Sequence, residues 1–514
     1  MKGSQIKIWV PLLFLFAGLL CIFFSRHEPI RDFGNYYYGS RLLLDGNFSS
    51  EIYTSIHHFN EQIGSYGETN YFENYIPVPP FSALFYIPFC IFSSLKAKFV
   101  FNLVSLCLFC WSLFRLLKFL DTNSKTLYIL PLILFFPLYA NIQQGQTYLL
   151  IVALLFEIFY SSQKKRLFYP SFLIAVIIAL KIFPGIILLY FIFKKNWRIV
   201  GLSIVMLIIL TSVTSLLLPD TVTFSYFTDI LPRLFNNDIV GTYHAGNQSF
   251  YTLLLHLFSY DGLANINPLI NQPLFVVFFE SVFFALILGF CFSMLKRSPT
   301  IFFGFVSLTG LLLSRYSTSY GMILILPVLI ALLSDKKPSF LSGTIFFISL
   351  GMATIPNVFI EGFFNLPFIR LYGLLILLAL ILYHYRIHFN YKIFAALILP
   401  VLILKYFSLP VADVSYFSIQ NTKGILYEID IKNDSLILKS CMGDKNIFEK
   451  YPLKEKAHFS DSLFIRNNII YYNHKVVCND KSNKEQPFLY NNSIVFMSDL
   501  NQAVRFYKLR SVPL

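Results

Sequence analysis

A single carboxylate stands just beyond an apolar stretch that is long enough to cross a bilayer. Residues 8–24 are apolar, and Asp32 follows them within residues 31–38, a segment with three consecutive tyrosines. A carboxylate at a membrane boundary among aromatic side chains loses hydration, and acids kept at such positions usually have a function. The alternative is a solvated loop acid that caps a short helix. Taken alone, the position of Asp32 favours that alternative, so the choice depends on the residues that follow.

Cations occur at comparable positions further along the chain. Lys181 separates two apolar runs, residues 174–180 and 182–188. A lysine there either extends to the membrane surface or binds an anion, and its position leaves both open. Arg315 ends another apolar stretch, where on its own it is expected to pair with a lipid phosphate. A carboxylate, a lysine and an arginine, with glutamines and tyrosines nearby, together predict a cavity for an anionic lipid-linked substrate.

The composition indicates that membrane helices must position these residues. Of 514 residues, 56% are hydrophobic and 13% are charged, whereas soluble proteins carry about 25% charged residues. Apolar blocks near the spanning length of ~20 residues recur from residue 8 to residue 408. The first block is followed by Ser25-Arg26-His27, a poor context for signal-peptide cleavage, so we expect a retained span.

The basic residues predict the orientation of the chain in the membrane. The formal net charge is +14, and much of the excess lies at the ends of apolar blocks, as in Lys164-Lys165-Arg166 and Lys296-Arg297. Such clusters mark cytoplasmic loops by the positive-inside rule. Because they are not interleaved with aromatic residues in a soluble patch, we predict no nucleic-acid partner. The pattern predicts a multi-pass protein of the cell (inner or plasma) membrane with a cytoplasmic N-terminus.

With every basic cluster inside, residues 1–410 are predicted to form an all-α polytopic membrane domain of about thirteen transmembrane helices. The predicted spans are residues 8–25, 98–117, 126–140, 147–162, 168–180, 183–194, 199–218, 272–294, 299–314, 320–334, 339–355, 366–385 and 392–409. Residues 168–194 are ambiguous, since they form either two short spans that meet at Lys181 or one long tilted helix. The odd number of spans places the C-terminus outside.

Three outward regions are then available to build a site. The first outward loop, residues 26–97, carries Asp32 and is expected to be catalytic. Its apolar residues 81–94 are few and contain Pro88, so they predict an interfacial or re-entrant helix rather than a span. The second region is residues 219–270. The third is a set of short polar turns at residues 141–146, Lys181 and residues 314–320.

The tail, residues 411–514, differs from the rest of the chain in composition. Apolar and polar residues alternate in short runs that are separated by Asn, Asp and Gly, a pattern typical of antiparallel strands. It predicts a small all-β extracytoplasmic domain, which we expect to be accessory because it shows no catalytic constellation. Cys441 and Cys478 either form a disulfide bridge there or remain buried thiols.

Several short motifs follow one another in a definite order. They are Asp32-Phe33 with Tyr36-Tyr37 and Arg41 through Gly46, Tyr75 through Phe81, Asn141 through Gln146, Ala179 through Pro184, and Asn247-Gln248-Ser249. Their order and spacing resemble glycosyltransferase family 87, in the GT-C superfamily of polyprenyl-phosphate-sugar-dependent membrane glycosyltransferases, and the likeness is to its mannosyltransferases. The resemblance covers roughly residues 8–334.

The resemblance implies a GT-C-like fold and an inverting transfer in which Asp32 is the general base. Asp32 takes the proton from an acceptor hydroxyl, which attacks the anomeric carbon of the sugar as the polyprenyl phosphate leaves. One carboxylate suffices because the leaving phosphate needs no protonation. No second acid next to Asp32 completes an Asp-x-Asp motif, so we expect no metal and no other cofactor.

The resemblance also implies roles for the other motifs. Donor-phosphate binding falls to Lys181, Arg315 and His244. The substrate-binding residues are Tyr36, Tyr37, Gln143, Gln146, Asn247 and Gln248. The family commonly places Trp and His residues in the turn that here occupies residues 315–320. Because this turn contains no His, Arg315 and His244 are the candidates to substitute.

The predicted function is transfer of a sugar, a mannose-like hexose or a pentose, from a polyprenyl-phosphate donor to a glycolipid or polysaccharide acceptor on the outer face. Membrane lipids are the other expected partners. The alternative is a lipid-linked sugar flippase or transporter, although the sequence shows no internal repeat and no matching pair of broken helices. A polysaccharide polymerase or ligase is a third class, but such proteins usually use one large late loop, and here the first loop is the rich one.

Overall fold

The computed structural model describes residues 3–67, 72–122, 124–219, 221–235, 243, 246–335, 340–362, 368–406, 410, 414–442, 445–502 and 505–514. Helices occur up to residue 406, and the β-strands lie between residues 425 and 513. The chain is therefore a mostly helical membrane protein with a C-terminal sheet region, as the sequence predicts.

The first half of the chain contains twelve of the described α-helices. They are α1 Gly3–Ser25, α2 Phe33–Leu44, α3 Glu51–Thr54, α4 Ile56–Gly64, α5 Phe81–Phe85, α6 Ser94–Leu120, α7 Leu130–Ile133, α8 Phe135–Gln144, α9 Tyr148–Gln163, α10 Phe168–Leu180, α11 Leu188–Phe193 and α12 Trp197–Leu217. Short 3₁₀ segments occupy Ile87–Ile91, Lys125–Ile129 and Phe183–Ile187.

The remaining helices follow the long middle region. They are α13 Val222–Ser225, α14 Leu231–Phe235, α15 Phe250–Phe258, α16 Pro273–Met294, α17 Pro299–Leu313, α18 Leu326–Asp335, α19 Phe340–Ala353, α20 Asn357–Gly362, α21 Ile369–His384 and α22 Tyr391–Tyr406. A π-helical turn at Tyr226–Ile230 joins α13 to α14, and a 3₁₀ segment at Tyr320–Ile325 precedes α18.

Each predicted span overlaps an α-helix or a 3₁₀ helix in the described residues, but not every helix is long enough to cross a bilayer alone. Among the described residues, four helices pass on length and apolar character, namely α1, α6, α12 and α16. Lys125–Ile133 and Phe135–Gln144 form a bent pair, at 44°, that counts as a fifth if it is one span. Seven shorter apolar helices in the described residues have 10–17 residues, fewer than the ~20 that cross the hydrocarbon core. The number thirteen stays a prediction.

The ambiguity at residues 168–194 is resolved in favour of two helices that meet at Lys181. α10 ends at Leu180, and Lys181 is extended, with φ −151° and ψ 121°. The 3₁₀ segment that follows contains Pro184, which has no N–H for a helical hydrogen bond and disfavours helical geometry at the preceding residue. The break leaves Lys181 outside the helical ladder. Residues 81–94 likewise form a short helix and a 3₁₀ segment before α6 begins.

Local sequence signals explain where several helices begin. α17 starts at Pro299, and the Ser298 hydroxyl accepts a hydrogen bond from the Ile301 N–H at 3.3 Å. Ser at the cap followed by Pro at the first helical position is a favoured start because Pro lacks the N–H that would lack a partner there. The Asn196 side chain caps α12 in the same way, accepting from Ile199 N–H at 3.4 Å.

The described helical residues form two large apolar cores and a small cluster of Tyr251, Leu254, Leu255 and Val276. In the largest core α1 packs against α6, with the Phe14 and Phe109 rings edge-to-face at 5.3 Å. The second core is aromatic and belongs mostly to residues 26–97, where Phe33, Tyr36 and Tyr86 are buried. We call this second cluster the aromatic core. Its Tyr36 and Tyr86 rings are stacked with centroids 4.8 Å apart.

The C-terminal strands form three antiparallel sheets in the described residues. One sheet orders β1 Ile425–Lys432, β2 Ser435–Met442 and β3 Lys445–Pro452. The second orders β5 Leu463–Arg466, β6 Ile469–Tyr472 and β7 Lys475–Cys478. The third orders β10 Lys508–Pro513, β9 Ser493–Ser498, β8 Lys484–Tyr490 and β4 Ala457–His458. Cys441 and Cys478 lie on different sheets as buried free thiols.

Two-residue turns fix the register of these hairpins. Residues 433–434, 467–468, 473–474 and 491–492 each separate two paired strands, and both residues of every pair have positive φ. This is the geometry of type I′ turns, whose twist matches that of the strands. Each turn begins with Asn, which tolerates left-handed backbone better than most residues. The Asn-rich gaps between apolar runs are therefore the cause of the strand pairing.

Candidate active site

The loop that carries Asp32 is fixed between α1 and α2. Arg31 has positive φ, at 52°, an uncommon conformation for a residue with a side chain. Its guanidinium donates to Glu28 at 2.7 Å, and the Lys98 ammonium of α6 donates to the Pro29 carbonyl at 2.8 Å. These contacts place Asp32 at the first turn of α2. Among the described residues its carboxylate bonds to a side chain rather than to the helix backbone, so it is not a capping acid.

A glutamine orients the carboxylate. Gln146 Nε2 donates to Asp32 Oδ2 at 2.6 Å, and Gln146 Oε1 accepts from the Tyr36 hydroxyl at 3.1 Å. Because an ionised carboxylate only accepts hydrogen bonds, Asp32 fixes which way the amide points, and the Tyr36 hydroxyl then donates to its oxygen. Burial raises the pKa of Asp32 above its usual range, while the Gln146 hydrogen bond and the Lys181 charge lower it by less. A carboxylate with a raised pKa is a stronger proton acceptor once it is ionised.

A tight turn places Gln146 against Asp32. Gly145, which follows α8, has φ 68°, and a Cβ at this position would lie 2.5 Å from Cβ of Phe33. Only glycine combines this backbone conformation with so close an approach. The Gln146 N–H then bonds to the Asn141 carbonyl at 2.9 Å. The Asn-x-Gln motif of the sequence is thus the turn that aims Gln146.

Asp32 faces two cavities. The first, of about 510 Å³, is lined by Asp32, Tyr36, Gln146, Lys181, Arg315 and Lys405, and by apolar residues that include Ile182, Phe183, Ile186, Leu231, Leu234, Phe284 and Leu313. We call it the cationic cavity. The second, of about 640 Å³, is lined by Gln143, Gln144, Thr318, Ser319 and Asn357 among others, and we call it the polar cavity. Asp32, Tyr316 and Tyr320 line both, so the carboxylate lies where the cavities meet.

Three cations line the cationic cavity. Lys181 Nζ lies 5.3 Å from the Tyr148 ring centroid and 5.9 Å from that of Tyr36. Arg315 and Lys405 form ion pairs with one carboxylate, that of Glu280. Arg315 binds it through Nε and Nη2 at 2.7 and 2.6 Å, and Lys405 Nζ lies at 2.7 Å from Oε1. Within this group of three described side chains two positive charges meet one negative charge, which leaves a surplus suited to an anion.

Glu280 and Lys405 were not predicted as site residues. Glu280 lies within α16, and Lys405 lies near the end of α22. Ionisable residues inside apolar helices are costly and tend to be functional, and this signal was available in the sequence. Their pairing with Arg315 was not, because it joins residues 35 and 125 positions away from Glu280.

Some predicted substrate residues support the site from outside. Asn247 Nδ2 donates to the Arg315 carbonyl at 3.3 Å, and its Oδ1 accepts from Ser317 N–H at 3.0 Å. Gln248 N–H donates to the Ser317 carbonyl at 3.1 Å. Both side chains are buried, and as described neither lines the two cavities. They hold the turn that carries Arg315.

The remaining predicted residues also differ in whether they line a cavity. Gln143 lines the polar cavity. The Tyr37 hydroxyl donates to the Phe92 carbonyl at 2.9 Å, and among the described lining residues Tyr37 belongs to neither cavity. His244 lies outside the described residues.

Sequence similarity covers much of the helical region that carries these cavities and the Lys181 turn. Residues 78–327 match Glycosyltransferase family 87. Over this stretch the chain is similar to glycosyltransferase family 87. The protein is accordingly a membrane glycosyltransferase, and the resemblance drawn from the sequence motifs is confirmed over this range. No curated protein and no solved structure shows a significant match to the chain.

The family 87 match covers some of the candidate site residues and leaves out others. It includes Gln146, Lys181 and Arg315, but it begins after Asp32 and ends before Lys405. The importance of those two residues in this glycosyltransferase therefore rests on their geometry. Among the described residues no group of three or more His, Cys, Asp or Glu side chains is arranged to hold a metal ion.

Proposed function

We propose that this glycosyltransferase transfers a sugar from a polyprenyl-phosphate donor to a hydroxyl of a glycolipid or glycan acceptor, with inversion and with Asp32 as general base. The observation that supports it is the position of Asp32, which lines both the cationic cavity and the polar cavity. A base at such a junction is within reach of both the acceptor hydroxyl and the bond to be broken.

The cationic cavity suits the donor. A polyprenyl-phosphate sugar combines an anion with a hydrocarbon chain, and this cavity combines three cations with a largely apolar lining. Lys181 and Arg315 are the predicted phosphate partners. Lys405 is a third, and Glu280 holds it beside Arg315. Cations placed where charge develops on the leaving phosphate stabilise the transition state more than the ground state.

The polar cavity suits the acceptor. Its amide and hydroxyl groups, on Gln143, Gln144, Thr318, Ser319 and Asn357, match the hydroxyls of a sugar ring or headgroup. Tyr316 and Tyr320 at the junction offer aromatic faces and hydroxyls to a sugar that lies between the cavities. An acceptor held there presents a hydroxyl to Asp32.

The proposed step is a single displacement. The acceptor oxygen forms a bond to the anomeric carbon, and its proton passes to an Asp32 carboxylate oxygen. The bond from the anomeric carbon to the phosphate oxygen breaks, and its electron pair leaves with the phosphate beside the cations. Gln146 keeps the carboxylate aimed during the transfer through its bond to Oδ2.

The test is in vitro transfer from a panel of polyprenyl-phosphate sugars to glycolipid acceptors, with wild type and Asp32→Asn compared. The substitution preserves size but removes the proton acceptor, so turnover should fall by ~10²–10⁴ with donor binding retained. Glu51→Gln, which neutralises an exposed acid of the same loop, should have no effect. Normal turnover in Asp32→Asn rejects the base, and lipid-sugar translocation without acceptor would then favour a flippase.

A further inference from the structure

A buried salt bridge joins the sheet region to a wall of the cationic cavity. Arg233 Nη1 of α14 donates to Asp499 Oδ2 at 2.7 Å, and the Asp499 side chain is fully buried. Asp499 lies just after β9, and its carboxylate also accepts from Asn483 N–H at 2.8 Å, Asn483 Nδ2 at 2.7 Å and Arg505 N–H at 2.9 Å. The sheet region therefore holds this carboxylate in place independently of Arg233, and Arg233 docks on it.

A second contact between the sheet region and the helical region lies at Asp261, after α15. The Asp261 Oδ2 atom accepts from the Tyr416 hydroxyl at 3.0 Å and from Asn501 Nδ2 at 2.9 Å, and its side chain is fully buried. Beside it, the Gly262 N–H donates to the Val414 carbonyl at 3.3 Å. Two buried carboxylates, one on each side of the contact, thus connect the sheet region to the long middle region.

A third set of contacts reaches the first outward loop. The His57 ring of α4 stacks on Tyr427 of β1 with centroids 4.0 Å apart. Phe72 and Phe506 meet edge-to-face at 5.6 Å. Phe506 and Ile425 also pack against the aromatic core that contains Tyr36. The same sheet region therefore contacts both of the outward regions that enclose the cationic cavity.

The wall that Arg233 belongs to is poorly supported by its own helices. Tyr226, Leu231 and Leu234 line the cationic cavity, and Arg233 lies between the last two. α13, the π-helical turn and α14 form one continuous helical run over residues 222–235. Isolated helices of about this length are only marginally stable in water. Contacts from outside the segment must therefore hold it in place, and they are the aromatic core, in which Val222, Tyr226 and Ile230 are buried, and the salt bridge of Arg233.

We propose that residues 414–514 are a brace for the donor cavity and that Arg233 and Asp499 are positioning residues. Asp499 binds Arg233, and this salt bridge fixes the position of α14. α14 in turn holds Leu231 and Leu234 in the lining of the cationic cavity. The sequence alone favours an accessory tail, whereas these contacts connect it to a wall of the cavity. The inference that the wall serves donor binding rests on the function proposed above; the brace itself does not.

The experiment compares full-length wild type with Arg233→Gln, Arg233→Lys and Lys432→Gln. Lys432 pairs with Asp430 in the same sheet region but is 69% exposed, so it is the control for loss of a surface ion pair. Hydrogen exchange of residues 222–235 reports the brace, and donor and acceptor KM report its consequence. Arg233→Gln should speed exchange in this segment only and raise the donor KM roughly 10- to 100-fold, since small displacements near a reaction site carry penalties of that size. Acceptor KM should be unchanged, and Arg233→Lys should recover part of the loss.

The outcomes separate the two proposals. Local exchange that rises in Arg233→Gln, in a protein that transfers no sugar from any polyprenyl phosphate, supports the brace and rejects the proposed donor. Unchanged exchange with an unchanged donor KM overturns the brace. Exchange that rises uniformly across the helices and sheets also overturns it, because the salt bridge would then contribute to general stability rather than to this wall.

Discussion

At the scale of single residues, the site depends on how Asp32 is kept ionisable in a half-buried position. Desolvation raises the pKa of Asp32, and the hydrogen bond from Gln146 and the charge of Lys181 oppose that rise. In the proposed mechanism Asp32 must be deprotonated to act as the base, so we expect its raised pKa to move the acidic limb of activity above the usual range for Asp, which is near 4. The residues that aim the carboxylate are then also expected to set the pH range of the transfer.

Gln146→Met tests this balance. It removes a hydrogen bond that favours the ionised form, so the pKa of Asp32 should rise further and the acidic limb of kcat/KM should move to higher pH. Activity in Gln146→Met should rise with pH to a plateau below that of wild type, because the base is then ionised in both but the amide no longer aims it. A pH–rate profile with an unshifted acidic limb would contradict the assignment of Asp32 as the titrating base.

Lys405→Met addresses the cation that sequence reasoning missed. Removing Lys405 lowers the positive charge of the cationic cavity and leaves Asp32 unchanged. The donor KM should therefore rise while the acceptor KM stays constant, and Lys181→Met should have the same effect. Lys392→Met, an exposed lysine on the same helix α22, is the control. Glu280 is less suitable as a target, since its loss removes the carboxylate that both Arg315 and Lys405 pair with, whereas in Lys405→Met the carboxylate keeps Arg315. Unchanged donor KM in Lys405→Met would remove it from the site.

At the scale of elements, the candidate site residues are positioned by breaks between helices rather than by the helices themselves. Lys181 reaches the cationic cavity because α10 stops at Leu180, and Gln146 reaches Asp32 because α8 ends in the left-handed Gly145. Both breaks lie in turns that are polar among apolar runs. Lys181 and Gln146 therefore both lie at interruptions between the apolar helices.

Gly145→Ala should impair the site while leaving the fold intact. The new Cβ meets Phe33 Cβ at 2.5 Å in a left-handed turn, so the turn must shift and draw Gln146 away from Asp32. Gly46→Ala is a matched control, since Gly46 has φ 75° and a Cβ added there would meet nothing within 4 Å. Both substitutions carry the backbone penalty of ~1–2 kcal/mol. Thermal unfolding should show similar losses, whereas transfer should fall only in Gly145→Ala; equal activities would argue against the turn.

Much of the architecture could be predicted from the sequence, and the reason lies in local physics. Apolar runs predict the helices and Asn-led gaps predict the hairpin turns, whereas the isolated Lys181 left open whether residues 168–194 form one helix or two. The Glu280 pairs and the Arg233 salt bridge could not be predicted, because they join residues that only packing brings together. Asn247 and Gln248 show a related limit: their motif was recognised, but whether an amide faces a cavity or a backbone depends on the folded neighbours.

At the scale of the whole molecule, the proposal depends on which side of the membrane holds the site. Asp32, the 314–320 turn and the sheet region meet on one face through the contacts described above, so a single orientation decides all of them. The basic clusters at Lys164-Lys165-Arg166 and Lys296-Arg297 favour a cytoplasmic position for the opposite face.

A reporter that is active only outside the membrane should therefore work when fused after Leu514 and stay silent when fused after Lys165. Both sites are turns or termini, so fusions there disturb little packing. A second reporter that needs the cytoplasm should give the reverse pattern. Activity after Lys165 with silence after Leu514 would move Asp32 to the cytoplasmic face and reject an outward-facing transfer.

The meeting of two separately lined cavities at Asp32 has a consequence for the order of events in a turnover. In the proposed mechanism donor and acceptor occupy different cavities, so we expect both to be bound at once, with no covalent glycosyl-enzyme between half-reactions. Steady-state plots against either substrate should then intersect rather than run parallel. When acceptor is scarce, we expect water in the polar cavity to take its place beside Asp32, so that the enzyme slowly hydrolyses its own donor.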